Sequence, residues 1–193
     1  MAILKAEVLA KVNKRLSRSE TDIDDEIEAV LNDISKRADF LTKEATQETE
    51  KSIDYYAVPE NFKDMTDIRV NDDEEPLERK SHNYFLKVSA GDNSENTPTI
   101  YAVQNDFFWL HPCPNKVYTM TLYYSIFHPK DADNIEFGEE FREAVNEGTM
   151  AKVSENYEDW ESVKAHMALC EAEIKKLTAT IKRPIRHTKY NDL

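Results

Sequence analysis

The clearest alternation of apolar and polar residues lies in residues 117–127. One face of this stretch comprises Tyr118, Met120, Leu122, Tyr124 and Ile126. The opposite face comprises Val117, Thr119, Thr121, Tyr123 and Ser125. A period of two with many Tyr, Thr and Val residues is typical of a half-buried antiparallel strand. Two apolar runs precede it, at 100–103 and 107–110, so we predict a three-stranded meander over residues 99–127.

Both ends of the chain show helical periodicity instead. Residues 2–17 predict an amphipathic helix, and a second helix is predicted from Thr21, as N-cap, to about Ala38. The short connection between the two predicts an antiparallel helix pair. Residues 137–157 predict a third helix, in which Gly148 indicates close packing or a bend.

A fourth helix is predicted from about Glu158 to Pro184. Its apolar residues are spaced alternately by three and four, as Trp160, Val163, Met167, Cys170, Ile174, Leu177 and Ile181. This heptad spacing fits a self-associating zipper or a long helix laid on a bundle core. We favour the helix on the bundle, because a free-standing coiled coil needs more heptads.

Short β-type patterns fill the remainder of the middle. Residues 40–50 and 52–58 suggest a hairpin, residues 65–70 a strand, and residues 76–80 its returning partner. Residues 81–88 predict a short helix capped by Ser81. Residues 89–98 predict an exposed, mobile loop.

The order of these patterns is a helix pair, a β-rich insert and a second helix pair. Runs of one element type predict an α+β fold, here a helical bundle from the N- and C-terminal helix pairs with an inserted antiparallel β-rich subdomain. We predict bundle helices in 1–39 and 135–183, the insert in 40–134, and an extended tail in 184–193.

The chain is acidic, with a net charge of -13 over 193 residues. Only its ends are basic: residues 1–20 and residues 182–193 each carry three more basic than acidic side chains. A general nucleic-acid binder needs a basic face, so the charge argues against that class. It fits a protein past which DNA slides without being held, or simply an acidic soluble protein with flexible ends.

Catalytic and ligand-binding motifs are sparse. Three glycines provide neither a phosphate-cradling loop nor a nucleophile elbow. The two cysteines, Cys113 and Cys170, fit no disulfide or zinc framework, and the His111–Cys113 neighbourhood lacks further ligands. We therefore predict no catalytic residue, no metal and no cofactor. No apolar run approaches the length of a membrane span.

Aromatic residues are dense in residues 99–127 and fall on both faces of the predicted sheet. One face suits a core, and the other must meet the bundle, a neighbouring subunit or a partner. The residues we predict for a subunit or tail interface are Tyr101, Phe108, Trp109, Tyr123 and Phe127.

Three motifs in this region carry a family resemblance. The stretches PTIYAV (98–103), LHPCP (110–114) and YTMTLYY (118–124) resemble the central signature of head–tail adaptor (connector) proteins of tailed phages, especially short-tailed ones. The stretch YYAVPENF (55–62) and residues 137–148 are similar to further segments of that family. Two departures are Gln104-Asn105-Asp106, where the family has a Gly turn, and Phe137-Gly138, where it has a helix-starting Pro.

The resemblance implies a structural virion protein of the neck, without enzymatic activity, assembled in the host cytoplasm. It implies a ring of twelve subunits beneath the portal that extends the DNA channel and offers a platform for the tail or nozzle protein. Implied partners are the portal, other copies of the chain, the tail and passing double-stranded DNA, with no membrane. By analogy, a portal-docking segment would comprise Arg183, Arg186, His187, Lys189 and Tyr190.

Two alternatives come from other classes. One is a virion-associated peptidoglycan hydrolase, against which the lack of an identifiable acid/base pair argues. The other is a monomeric protein-binding module outside any virion.

Overall fold

Helices at both ends of the sequence flank a β-rich middle, as the predicted α+β fold requires. The computed structural model describes residues 3–71, 75–92 and 94–181. The helices are α1 (Lys5–Leu16), α2 (Asp24–Arg37), α3 (His82–Ser89), α4 (Arg142–Asn156) and α5 (Trp160–Ile181). The strands are β1 (Thr42–Glu48), β2 (Tyr55–Ala57), β3 (Phe62–Val70), β4 (Glu78–Arg79), β5 (Glu95–Asn96), β6 (Ile100–Gln104), β7 (Phe107–His111), β8 (Cys113–Pro114) and β9 (Thr119–Ile126).

The chain divides into two compact units. The helical unit comprises residues 1–41 and 128–193, and the β-rich unit comprises residues 42–127. The helical unit therefore joins the first two helices to the last two, and the β-rich unit is inserted between them in sequence.

Helix α4 is the centre of the helical unit. Ten of its fifteen residues are buried, including the polar Asn146, Glu147 and Thr149. Helices α1, α2 and α5 each pack against it. A helix enclosed in this way has no solvent-facing stripe, which explains the weak amphipathic pattern of its sequence.

The predicted antiparallel pairing of the first two helices is wrong. Helices α1 and α2 make their main helix contacts with α4 rather than with each other. The predicted N-cap of α2 is also wrong, because the cap position is Ile23 and not Thr21. The carboxylate of Asp22 accepts a hydrogen bond from the backbone N–H of Asp24 at 3.1 Å and satisfies one of the free donors of the first turn.

Helix α5 lies along α4, as the bundle interpretation of its heptad pattern requires. Val163 and Ile174 are buried, whereas Trp160 and Met167 of the same predicted seam are 57% and 47% exposed. The seam is therefore only partly covered by the helical unit. The buried positions of the seam hold α5 to the helical unit, and the exposed positions leave apolar side chains in contact with solvent.

Strand β9 is the centre of a three-stranded sheet in the order β1-β9-β3. The predicted meander is therefore wrong in its third strand, although the β6–β7 hairpin is confirmed. After β7, Pro112 and Pro114 lack the N–H groups that a third strand beside β7 would need. The chain passes through β8, which pairs with β5, and then enters β9 of the β1-β9-β3 sheet. Ser125 of β9, which alternation assigns to the polar face, is 1% exposed, and its hydroxyl donates a hydrogen bond to the backbone oxygen of Asp64 in β3 at 3.3 Å.

Three other pairings differ from the prediction. Strands β1 and β2 form no hairpin, since β1 pairs with β9 and β2 pairs with β7. Strand β4 pairs in parallel with β6 rather than returning along β3. The predicted loop 89–98 contains β5, which pairs in parallel with β8. Sequence-local turn signals could not reveal partners that are tens of residues away.

The short helix α3 is confirmed together with its cap. The hydroxyl of Ser81 accepts a hydrogen bond from the backbone N–H of Tyr84 at 3.3 Å. Phe85 is the one buried side chain of this helix and fixes it to the β-rich unit.

Candidate interaction surfaces

An exposed cluster of rings covers one side of the β2–β7 pair. Tyr55 is 49% exposed, Phe107 is 40% exposed and Trp109 is half-buried. The Tyr55 ring lies 5.9 Å from that of Phe107 and 5.4 Å from that of Trp109, between centroids. We call these three residues the aromatic patch. Exposed rings held in mutual contact are typical of binding surfaces, because little side-chain entropy is lost when a partner covers them.

Two of the predicted interface residues lie in the core of the β-rich unit. Tyr101 is 1% exposed and Phe108 is 0% exposed. Phe108 stacks on Tyr56 with ring centroids 5.6 Å apart, across the β2–β7 pair. Burial also raises the pKa of Tyr101 to about 12. In the single chain these two rings leave almost no surface for a partner.

The remaining two predicted interface residues are half-buried and lie beside basic side chains. The guanidinium of Arg69 lies 5.6 Å from the ring centroid of Tyr123, and the ammonium of Lys63 lies 6.0 Å from that of Phe127. A cation over a ring covers its face without removing the ring edge from solvent. Tyr123 and Phe127 thus keep part of their surface available.

Strand alternation separates two of the five predicted residues, Phe108 and Trp109, which are neighbours in β7. Neighbours in a strand point to opposite faces, so Phe108 and Trp109 cannot share a surface. Tyr55 and Phe107 are the residues that the sequence analysis missed. The period of two along residues 107–109 would have paired Phe107 with Trp109. The cross-strand position of Tyr55 required the β2–β7 register, which the sequence did not reveal.

A buried carboxylate links three helices of the helical unit. The Glu147 side chain is 6% exposed and accepts a hydrogen bond from Arg15 of α1 through one oxygen. Its other oxygen lies 2.7 Å from Nδ1 of His166 in α5. Because both oxygens are engaged, this group serves packing and does not resemble a free general base.

A groove runs between α2, α4 and α5, and we call it the helical groove. It contains a cavity of about 360 Å³. Apolar and thiol side chains that line the cavity are Val30, Ile34, Ala151, Val163, Met167 and Cys170. Charged residues on its rim are Asp33, Lys36, Arg37, Lys152, Glu155 and Glu171. Gly148 forms part of the wall.

Five of the six charged residues on the rim of the helical groove pair with one another. Arg37 bonds Asp33 at 2.8 Å and Glu171 at 2.6 Å, and Lys152 bonds Glu155 at 2.8 Å. The apolar side chains of the wall are therefore the part of the groove that an occupant could contact. Such a cavity suits an apolar or aromatic side chain.

The thiols near these surfaces are not poised for reaction. Burial raises the pKa of the Cys170 thiol to about 11 and also raises that of Cys113. Both thiols are therefore protonated at neutral pH, whereas the thiolate is the nucleophile. Among residues 3–71, 75–92 and 94–181, no group of three or more His, Cys, Asp or Glu side chains could hold a metal ion. No helix within those ranges is both long and apolar enough to cross a membrane.

The predicted portal-docking residues Arg183, Arg186, His187, Lys189 and Tyr190 lie outside the described residues. The interaction surfaces that the described residues provide are the aromatic patch and the helical groove.

A model of a known protein family matches most of the chain. The family model described as SU10 adaptor protein matches residues 3–188, a range that contains every described residue. A search of curated proteins found no match.

Proposed function

The chain belongs to the SU10 adaptor protein family of structural phage head–tail adaptors, and on this premise we propose that it forms a ring between portal and tail. By the family resemblance the ring has twelve copies, lies beneath the portal, extends the DNA channel and carries the tail or nozzle protein. The observation that carries the proposal is the family match over residues 3–188, which spans both structural units.

The charge of the chain suits a channel wall. A net charge of -13 disfavours tight contact with the phosphate backbone, so duplex DNA would pass without being held. A basic wall would release counterions from DNA and would bind it instead. The acidic composition therefore supports passage rather than capture.

The aromatic patch supports contacts between subunits or with the tail. Tyr55 and Phe107 expose 49% and 40% of their surface although they are large and apolar. Aromatic residues are enriched in protein interfaces and often supply much of the binding energy. We assign the same role to the half-buried Trp109 of the patch and to the half-buried Tyr123 and Phe127 at separate positions.

The basic C-terminal segment supports attachment to the portal. Residues 182–193 carry four basic residues and one acidic residue in an acidic chain. We propose that Arg183, Arg186 and Lys189 contact acidic groups of the portal, with His187 and Tyr190 beside them. Arginine at such contacts gives planar, bidentate pairing with carboxylates.

The test is binding to the purified portal of the phage that encodes this chain. The triple variant Arg183→Ser, Arg186→Ser, Lys189→Ser should lose at least tenfold in affinity, measured by mass photometry at fixed ionic strength. The matched control replaces the exposed Lys51, Lys87 and Lys130 by Ser, which removes the same charge elsewhere. Equal binding by the two triple variants would reject the portal-docking role of the segment.

A further inference from the structure

The helical groove has a second, shallower part that runs along α5. This part is lined by Ala168, Ala172, Ile174, Lys175 and Thr178, and it shares Arg37 and Glu171 with the cavity. The groove therefore extends from the C-terminal half of α5 to the cavity at Met167. It begins close to the point where the chain leaves α5, whose last described residue is Ile181.

We propose that the C-terminal segment 182–193 folds back along α5 and docks in the helical groove of its own chain, with Tyr190 in the cavity. Pro184 cannot continue the helical hydrogen-bond pattern and so favours a change of direction there. The segment also contains apolar Ile185, which suits the shallower part of the groove.

Chain length agrees with this arrangement. Cys170 and Met167 precede Ile181 by eleven and fourteen residues, which at the helical rise places them about 17 and 21 Å back along α5. The nine residues from 182 to 190 span up to about 30 Å when extended. Tyr190 can therefore reach the cavity, and the excess length allows the chain to reverse.

The chemistry of the cavity agrees with a tyrosine occupant. Val30, Met167 and Cys170 present apolar walls, and the rim groups Arg37 and Lys152 are already paired with carboxylates. A phenol ring places its apolar body against such walls and its hydroxyl at the polar rim. No unpaired buried charge results.

Docking in the same chain has a consequence for assembly. Tyr190 cannot occupy the groove and contact a portal at once, so the groove would hold the segment until the portal competes for it. This consequence rests on the proposed function, whereas the docking itself does not. Both experiments below use the purified chain without portal, so their outcome is independent of portal binding.

The native Cys170 reports directly on the groove. Its rate of alkylation by N-ethylmaleimide should rise at least fivefold when the chain ends at Arg183, and also in the full-length Tyr190→Ser variant. Cys113 lies in the β-rich unit and is the internal control, whose rate should stay unchanged in the same peptide maps. Circular dichroism checks that the variants remain folded. Equal Cys170 rates in all three chains would overturn the proposal.

A cross-link distinguishes the chain's own segment from that of a second copy. In the variant Cys113→Ser, Asn191→Cys, which keeps Tyr190, mild oxidation should join the introduced cysteine to Cys170 within one chain. Mixing isotopically light and heavy chains before oxidation should yield only light–light and heavy–heavy linked peptides. Mixed pairs, or no disulfide at Cys170, would overturn docking in the same chain.

Discussion

Gly148 of α4 faces Val30 of α2 so closely that a Cβ atom at position 148 would lie 2.7 Å from Cγ1 of Val30. The same Cβ would lie 3.3 Å from Sγ of Cys170 in α5. Glycine at this position thus lets α2 and α5 approach the central helix together. The close packing that the sequence suggested for Gly148 is confirmed.

We expect Gly148→Ala to destabilise the helical unit. Alanine has a better helix propensity by about 1 kcal/mol, but the clash with a stiff, buried Val30 outweighs it, and overpacking typically costs about 1–3 kcal/mol. Urea unfolding followed by circular dichroism measures the change. The double variant Gly148→Ala, Val30→Ala restores space, so its loss should be smaller than the sum of the two single losses. Additive losses would argue against this contact.

We expect Glu147→Ala to be much more harmful than Glu143→Ala on the same helix. Glu147 is buried and engages Arg15 and His166, so its loss leaves two polar groups without their partner and costs about 2–3 kcal/mol. Glu143 pairs with Lys11, which lies in α1 like Arg15, but the Glu143 side chain is 51% exposed. The unfolding free energy lost in Glu143→Ala should therefore stay within about 0.5 kcal/mol. Equal losses in urea unfolding would contradict the structural role of Glu147.

We expect the β-rich unit to lose stability between about pH 10 and pH 12. Burial raises the pKa of Tyr101 to about 12 from an ordinary 10.0, so across this window the unfolded chain releases a proton that the folded chain retains. The unfolded state therefore binds fewer protons, and stability falls by up to about 1.4 kcal/mol per pH unit. Tyr101→Phe should flatten this part of the curve, as measured by urea unfolding at several pH values. If the pH dependence of stability in this window is the same in Tyr101→Phe, the raised pKa of Tyr101 is not its cause.

We expect replacement by Ser to reduce stability at Phe108 and to reduce assembly at its neighbour Phe107. Phe108 is fully buried, so Phe108→Ser should cost about 3–5 kcal/mol of unfolding free energy. Phe107 is 40% exposed, so Phe107→Ser should leave the chain folded and lower its assembly on the portal. Thermal unfolding and mass photometry give the two readouts. A Phe107→Ser chain that assembles normally would exclude the aromatic patch from the interface.

The sequence predicts elements well where a local signal dominates. The cap of α3 at Ser81, the turn between β6 and β7, and the amphipathic α1 all depend on residues close in sequence. The α+β class follows from the order of such elements. The head–tail adaptor family likewise follows from short motifs, and it is confirmed by the match over residues 3–188.

Pairing and burial are harder to predict because they depend on distant partners. Ser125 looks like a solvent-facing strand residue until β1 and β3 are placed on either side of β9. The N-cap at Ile23 is favoured by no side-chain rule, since Asp22 supplies the hydrogen bond from the preceding position. The helical groove is equally hidden, because it requires α2, α4 and α5 to be assembled first.

The most direct test of the proposed role is electron cryomicroscopy of the neck in virions of the phage that encodes this chain. We expect a closed ring of copies of this chain directly between portal and tail, with density that fits the central helix α4 and the β1-β9-β3 sheet. A neck whose density between portal and tail belongs entirely to other proteins would contradict it.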